Sequence, residues 1–158
     1  MKTFLIDMCS VDIIATDREF REILKQLSKD GKIRLITMDV LEEQYHHTKV
    51  PKNSRDLINE LIFEKIESDA FVFGVSDWGS KWGNGSLTGM SVNSIMSSKG
   101  NHLEDALIAV TSVGNADVFV TEDKKLMKKM IKRQTKCEVW DSIQLKQYLL
   151  DVLKDLNL

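Results

Sequence analysis

Short apolar runs alternate with helical stripes along nearly the whole chain, and this alternation restricts the possible fold more than any other feature of the sequence. Thr3 to Ile6 is an apolar run closed by Asp7, too short for a helix and suited to a buried parallel strand. Thr16-Asp-Arg-Glu19 has capping-box spacing and predicts the start of a helix. Phe20, Ile23, Leu24 and Leu27 share one face of that helix until Asp30-Gly31 ends it. Ile33 to Ile36 reads as a second strand, followed by a helix through Val40, Leu41 and Tyr45 that Pro51 breaks. Ser54 is placed to cap the next helix, with Leu57, Ile58, Leu61, Ile62 and Ile66 as its stripe, and Ala70 to Val75 is strand-like. Leu103, Leu107, Val110 and Val113 predict another helix, stopped at Gly114-Asn115. Asp117 to Val120 reads as a strand, and Lys124 to Arg133 as a helix with Leu126, Met127, Met130 and Ile131 inward. Glu138 to Trp140 is a short strand, after which Asp141 and Gln144 suit a cap for a last helix burying Leu145, Leu149, Val152, Leu153 and Leu156.

Strands that alternate with helices imply right-handed crossovers and a mainly parallel sheet covered on both faces, a three-layer α/β/α domain. At 158 residues the chain has the length of one domain, 1–158, with one continuous core. Residues 77–101 interrupt the pattern with five of the eight glycines and six serines, a composition that makes this stretch a loop insertion. A loop this long inside a compact domain usually serves function or motion.

Composition narrows the function classes. Hydrophobic and charged fractions of 42% and 29% are those of a soluble globular protein. No apolar run approaches the roughly 20 residues that span a bilayer, and Asp7 and Asp12 interrupt the N-terminal run before it resembles a signal peptide, so no membrane partner is expected. Cys9 and Cys137 form no metal-ligand spacing and read as reduced thiols of a cytoplasmic protein. A net charge of −2 does not suit a nucleic-acid scaffold, yet Lys124 to Lys136 contains seven basic residues and no acidic one. Read alone, that block is the solvated face of a surface helix.

Four acids sit where chemistry is expected in such a sheet, beyond the carboxyl ends of its strands. Asp7 closes the first strand, Glu43 lies one turn into the helix after the second, Asp105 falls in the first turn of a later helix, and Asp123 follows the fourth strand. Each alone reads as a helix cap, a dipole partner or a solvated side chain, and Glu42 competes with Glu43. Asp7 is the hardest to dismiss, since a charge closing a buried strand needs a partner. Converging carboxylates are tolerated mainly around a cation, and hard oxygens suit Mg²⁺ or Mn²⁺. Such an ion acidifies bound water and neutralises charge developing on a phosphodiester.

The order of these motifs resembles the PIN domain family. The likeness is carried by Phe-Leu-Ile-Asp7, Val40-Leu-Glu-Glu43, Asp105-Ala-Leu-Ile-Ala109 and Val-Thr121-Glu-Asp123, and it spans nearly the whole chain. The resemblance implies a Mg²⁺- or Mn²⁺-dependent ribonuclease in which Asp7, Glu43, Asp105 and Asp123 hold the metal, with Ser10 and Thr121 in support. RNA is then the substrate, as a toxin or an RNA-processing nuclease, and a protein antitoxin and a homodimer are the partners such a family makes available. In that setting the basic helix after Asp123 puts Lys124, Lys125 and Lys128 where phosphates arrive, and Trp78 and Trp82 offer rings for unpaired bases, or else anchors for their loop.

Two other readings compete. A PIN-like domain that no longer cleaves, acting as an RNA- or protein-binding module, is favoured by Met8 after the first Asp and by Lys125 where many members carry an acid. A phosphotransferase with Asp7 as nucleophile lacks its second Asp two residues on, where Cys9 stands. No glycine-rich phosphate loop of the Gly-x-x-x-x-Gly-Lys-Ser/Thr kind occurs. His46 and His47 are adjacent on a helix and point apart, which rules out an i, i+4 metal pair.

Overall fold

A computed structural model describes residues 1–66, 108, 112, 114–132 and 136–157. Its elements run β1 (Lys2–Ile6), α1 (Met8–Thr16), α2 (Arg18–Lys29), β2 (Ile33–Thr37), α3 (Asp39–Tyr45), α4 (Lys52–Glu60), β3 (Phe63–Lys65), β4 (Val118–Val120), α5 (Lys124–Lys132), β5 (Glu138–Trp140) and α6 (Ser142–Asn157). The five strands form one sheet in the order β3-β2-β1-β4-β5, and every pairing in it is parallel.

Apolar strands buried on both sides dictate the layering. Leu5 pairs in register with Ile36 and Phe119, and Phe4 with Leu35 and Val118, so the two sets face opposite sides of the sheet. Both sets are buried, which requires a layer of helices on each face. Helices α1, α2, α4 and α6 pack on one another. On the α6 side Phe4 stacks in tilted contact with Tyr148 and Trp140. The β4–β5 crossover runs in the opposite direction from β1–β2–β3, so the right-handed rule sends α5 to the other face.

Local chemistry explains where the elements begin and end. The Asp17 side chain accepts from the Phe20 N–H and caps α2, while Gly31 takes a left-handed φ of 68° after its C-terminus. Asp141 and Gln144 cap α6 reciprocally, each side chain accepting the other's backbone N–H, as their spacing predicts.

Several expectations are corrected. Thr16 does not cap α2; it closes α1, a helix the periodicity did not predict, and donates to the Ile13 carbonyl. Ser54 does not cap α4, which starts after Pro51; it is buried and donates to Asp12. The stripe assigned to α4 overruns it: Ile62 is exposed and Phe63–Lys65 is the edge strand β3. Ile131 and Leu156 face solvent, not the core. Gly114 and Asn115 are still helical, so the stop falls just beyond them. The strand expected at Ala70–Val75, the loop at 77–101 and the residues Leu103, Leu107, Val110 and Val113 lie outside the described residues.

Candidate functional site

The strand order reverses direction between β1 and β4. Connections from β1 lead outward through β2 to β3, and those from β4 lead the other way to β5. In open parallel sheets a crevice forms at the carboxyl end of such a switch point, because the neighbouring connections leave in opposite directions. Asp7 follows β1 and Thr121-Glu-Asp123 follows β4, so both stand at this point. The Asp7 N–H donates to the Val120 carbonyl at 2.9 Å and stitches the two strand ends together.

Asp7 is 7% exposed, and its carboxylate is held from several directions. Oδ1 accepts the Met8 N–H at 2.8 Å, and Oδ2 accepts the Thr121 hydroxyl at 3.1 Å and the Cys9 thiol at 3.4 Å. The Thr121 hydroxyl in turn accepts the Asp123 N–H at 3.2 Å. One buried hydroxyl therefore links the Asp7 carboxylate to the backbone of Asp123. Burial, and next the Asp7 charge, push the Cys9 thiol up to about 11, so it stays protonated at neutral pH and remains a donor.

Ser10 plays a different part. Fully buried, its hydroxyl donates to Glu122 Oε1 at 3.3 Å, and the same oxygen accepts the Ser142 N–H at 2.7 Å. Glu122 thus ties the end of β4 to α1, through Ser10, and to the start of α6. Sequence reasoning missed Glu122 and Cys9, although both sit inside or beside the motifs. The signal was that three consecutive polar residues end a buried strand, each of which needs its own partner.

Asp123 divides its carboxylate. Oδ1 accepts the Lys125 and Leu126 N–H groups at 3.0 and 3.1 Å, capping α5. Oδ2 makes no hydrogen bond among the described residues. The α5 lysines Lys124, Lys125 and Lys128 are exposed and form no ion pair among the described residues.

Glu42 and Glu43 face different surroundings. Glu42 pairs with Lys65 at 3.1 Å, and Asp39 with the same ammonium at 2.8 Å. Both hold the Lys65 pKa above its ordinary value, Asp39 first. Glu43 is exposed and lines an open cavity together with Met8 and Asp12 of α1. Helix α3 is fixed against the carboxyl end of β1 by Tyr45, whose buried hydroxyl donates to the Ile6 carbonyl. Burial, then the nearby Asp7 and Glu42 charges, raise the Tyr45 pKa well above normal.

Carboxylates of Asp7, Glu43 and Asp123 are hard oxygen donors of the kind that Mg²⁺ or Mn²⁺ takes, and the Thr121 hydroxyl orients the first of them. Among the described residues, no group of three His, Cys, Asp or Glu side chains is close enough to hold an ion. Asp105, Trp78 and Trp82 lie outside the described residues.

No protein-family model matches the chain, and no curated protein matches it. Among solved structures it is similar to the crystal structure of PAE2754 from Pyrobaculum aerophilum, with a TM-score of 0.53 over 95% of this chain and 96% of that one. The two are 16% identical, so the likeness speaks for the α/β fold alone. No helix among the described residues is long and apolar enough to cross a membrane.

Proposed function

We propose that this chain is a PIN-type, divalent-metal-dependent ribonuclease that hydrolyses RNA phosphodiester bonds. The observation that supports this reading best is the Asp7–Thr121–Asp123 arrangement at the switch point of a parallel sheet. A carboxylate 7% exposed at the carboxyl end of a parallel strand, oriented by a hydroxyl that also holds the backbone of Asp123, supports a cation site. In this reading Asp7, Glu43, Asp105 and Asp123 hold Mg²⁺ or Mn²⁺, which when bound supplies Lewis acidity toward water and the phosphodiester. Thr121 keeps the Asp7 carboxylate in one orientation. The Glu122 brace keeps α1, β4 and α6 in register around it. Lys124, Lys125 and Lys128 on α5 meet the RNA backbone. Whether the setting is a toxin with a protein antitoxin or a processing nuclease, and whether the protein works as a homodimer in the cytoplasm, is part of the same proposal and rests on the motif resemblance.

A second reading, a domain that binds RNA or protein without cleaving, draws support from Asp123, one of whose oxygens is committed to capping α5. Incubating the purified protein with a labelled single-stranded RNA and Mg²⁺ or Mn²⁺ separates the two. Cleavage that is lost with EDTA, in Asp7→Asn and in Asp105→Asn is expected of the nuclease. RNA binding with no cleavage under any metal would leave the binding module.

A further inference from the structure

An open cavity of ≈430 Å³ lies beside the candidate site, between α1, α3 and the connection into α4. Its position ties it to the chemistry: Met8 follows Asp7 directly, and Glu43 is on its wall. Its size falls within the range of small-ligand sites. Met8, Val50 and Pro51 give it an apolar wall against which a flat ring can lie, and Lys49 brings a positive charge that has no ion-pair partner among the described residues. Asp12 also lines the cavity, and its Oδ1 accepts the hydroxyl of buried Ser54 at 2.6 Å. That bond fixes the carboxylate rotamer and leaves Oδ2 without a hydrogen bond among the described residues.

We infer that this cavity is a nucleobase subsite that receives a guanine from single-stranded RNA next to the phosphodiester to be cleaved. The inference rests on the ribonuclease reading for its substrate class. The base preference follows from donor and acceptor chemistry. Asp12 is a carboxylate, which only accepts, and its two oxygens lie side by side as guanine's two donors do. Guanine offers two adjacent donors, its N1–H and its exocyclic amino group, whereas uracil offers a single ring N–H between two carbonyls. Unpaired bases are read in this way, on their Watson–Crick edge with the ring against an apolar wall. Lys49 then meets the phosphate on the far side of that nucleotide.

Fluorescence anisotropy with short single-stranded RNAs carrying one central G, inosine or U, in EDTA so that nothing is cleaved, tests this directly. The G oligomer should bind about 5- to 150-fold more tightly than the U oligomer, as one two-point contact to a base allows, with inosine between them. Asp12→Asn retains an acceptor for Ser54 but loses the charge, and should bring G and U together. Val50→Trp, which fills the cavity, should do the same and decides the matter if Asp12→Asn melts early. Equal binding of G and U by the wild type, or a G preference that survives both variants, would overturn the subsite. So would GMP binding as tightly as the G oligomer, since the pocket would then be built for free nucleotide. Base preference without metal-dependent cleavage keeps the subsite and removes the nuclease; cleavage without base preference does the reverse.

Discussion

Charged side chains are handled in two opposite ways in this molecule. On the outer face of α2 and α4, Lys25 meets Glu22 and Glu60, each at 3.1 Å, and Arg21 approaches Glu60 at 3.7 Å. These charges neutralise one another in water, where such pairs contribute little. At the β1–β4 switch point a carboxylate is buried instead, and the bonds described to it come from a hydroxyl, a thiol and a backbone N–H. The first cluster holds its charges at the solvent boundary, whereas the second sets a carboxylate in a fixed hydrogen-bonded frame where two strands end.

Breaking that contrast at its strongest point gives the largest effect. Asp7→Asn should reduce metal-dependent RNA cleavage to background while circular dichroism shows a folded protein, because the amide is of the same size and its oxygen still accepts the Met8 N–H. Thr121→Val should cost about 10- to 100-fold in Mn²⁺ affinity, the usual effect of removing a group that orients a ligand, measured by titration calorimetry. Leu24→Ala, a fully buried site on α2, should lower unfolding stability by about 2–5 kcal/mol in urea while leaving the Mn²⁺ affinity of the folded protein unchanged. Glu60→Ala, in the surface cluster, should change stability by less than about 1 kcal/mol, and the small effect should shrink further in high salt.

Alkaline pH sharpens the same comparison. Burial raises the Cys137 thiol from 9.0 to about 11, so the folded state binds its proton more tightly than the unfolded chain does. The stability this group contributes is complete below pH 9 and is lost as pH rises through 11. Tyr45 adds a loss of the same sign at still higher pH. Urea midpoints measured from pH 8 to 11 should therefore fall, and Cys137→Ala should lessen the fall between 9 and 11, with Cys9, also raised to about 11, accounting for a similar share.

Much of the fold was legible because parallel strands buried on both faces read as continuous apolar runs, as at Phe4-Leu-Ile6 and Val118-Phe-Val120. Helices α2 and α6 were legible from periodicity and caps. Helix α1 was not, because Met8 to Thr16 is apolar nearly all round and gives no stripe. Strand β3 was hidden because Ile62 and Ile66 continue the spacing of α4 past its end, and only tertiary pairing with β2 makes Phe63–Lys65 a strand. Within the candidate site, Asp7 and Thr121 were legible from strand-end position and motif. The Cys9–Thr121 and Ser10–Glu122 contacts were not, since each joins residues more than a hundred positions apart.

The central claim is that the buried Asp7 carboxylate holds a divalent cation. Titrating Mn²⁺ into the wild type and Asp7→Asn by isothermal calorimetry tests it with no assumption about substrate. Saturable binding by the wild type, with loss in Asp7→Asn, is the predicted result. Equal binding by both proteins, or none by either, would contradict it.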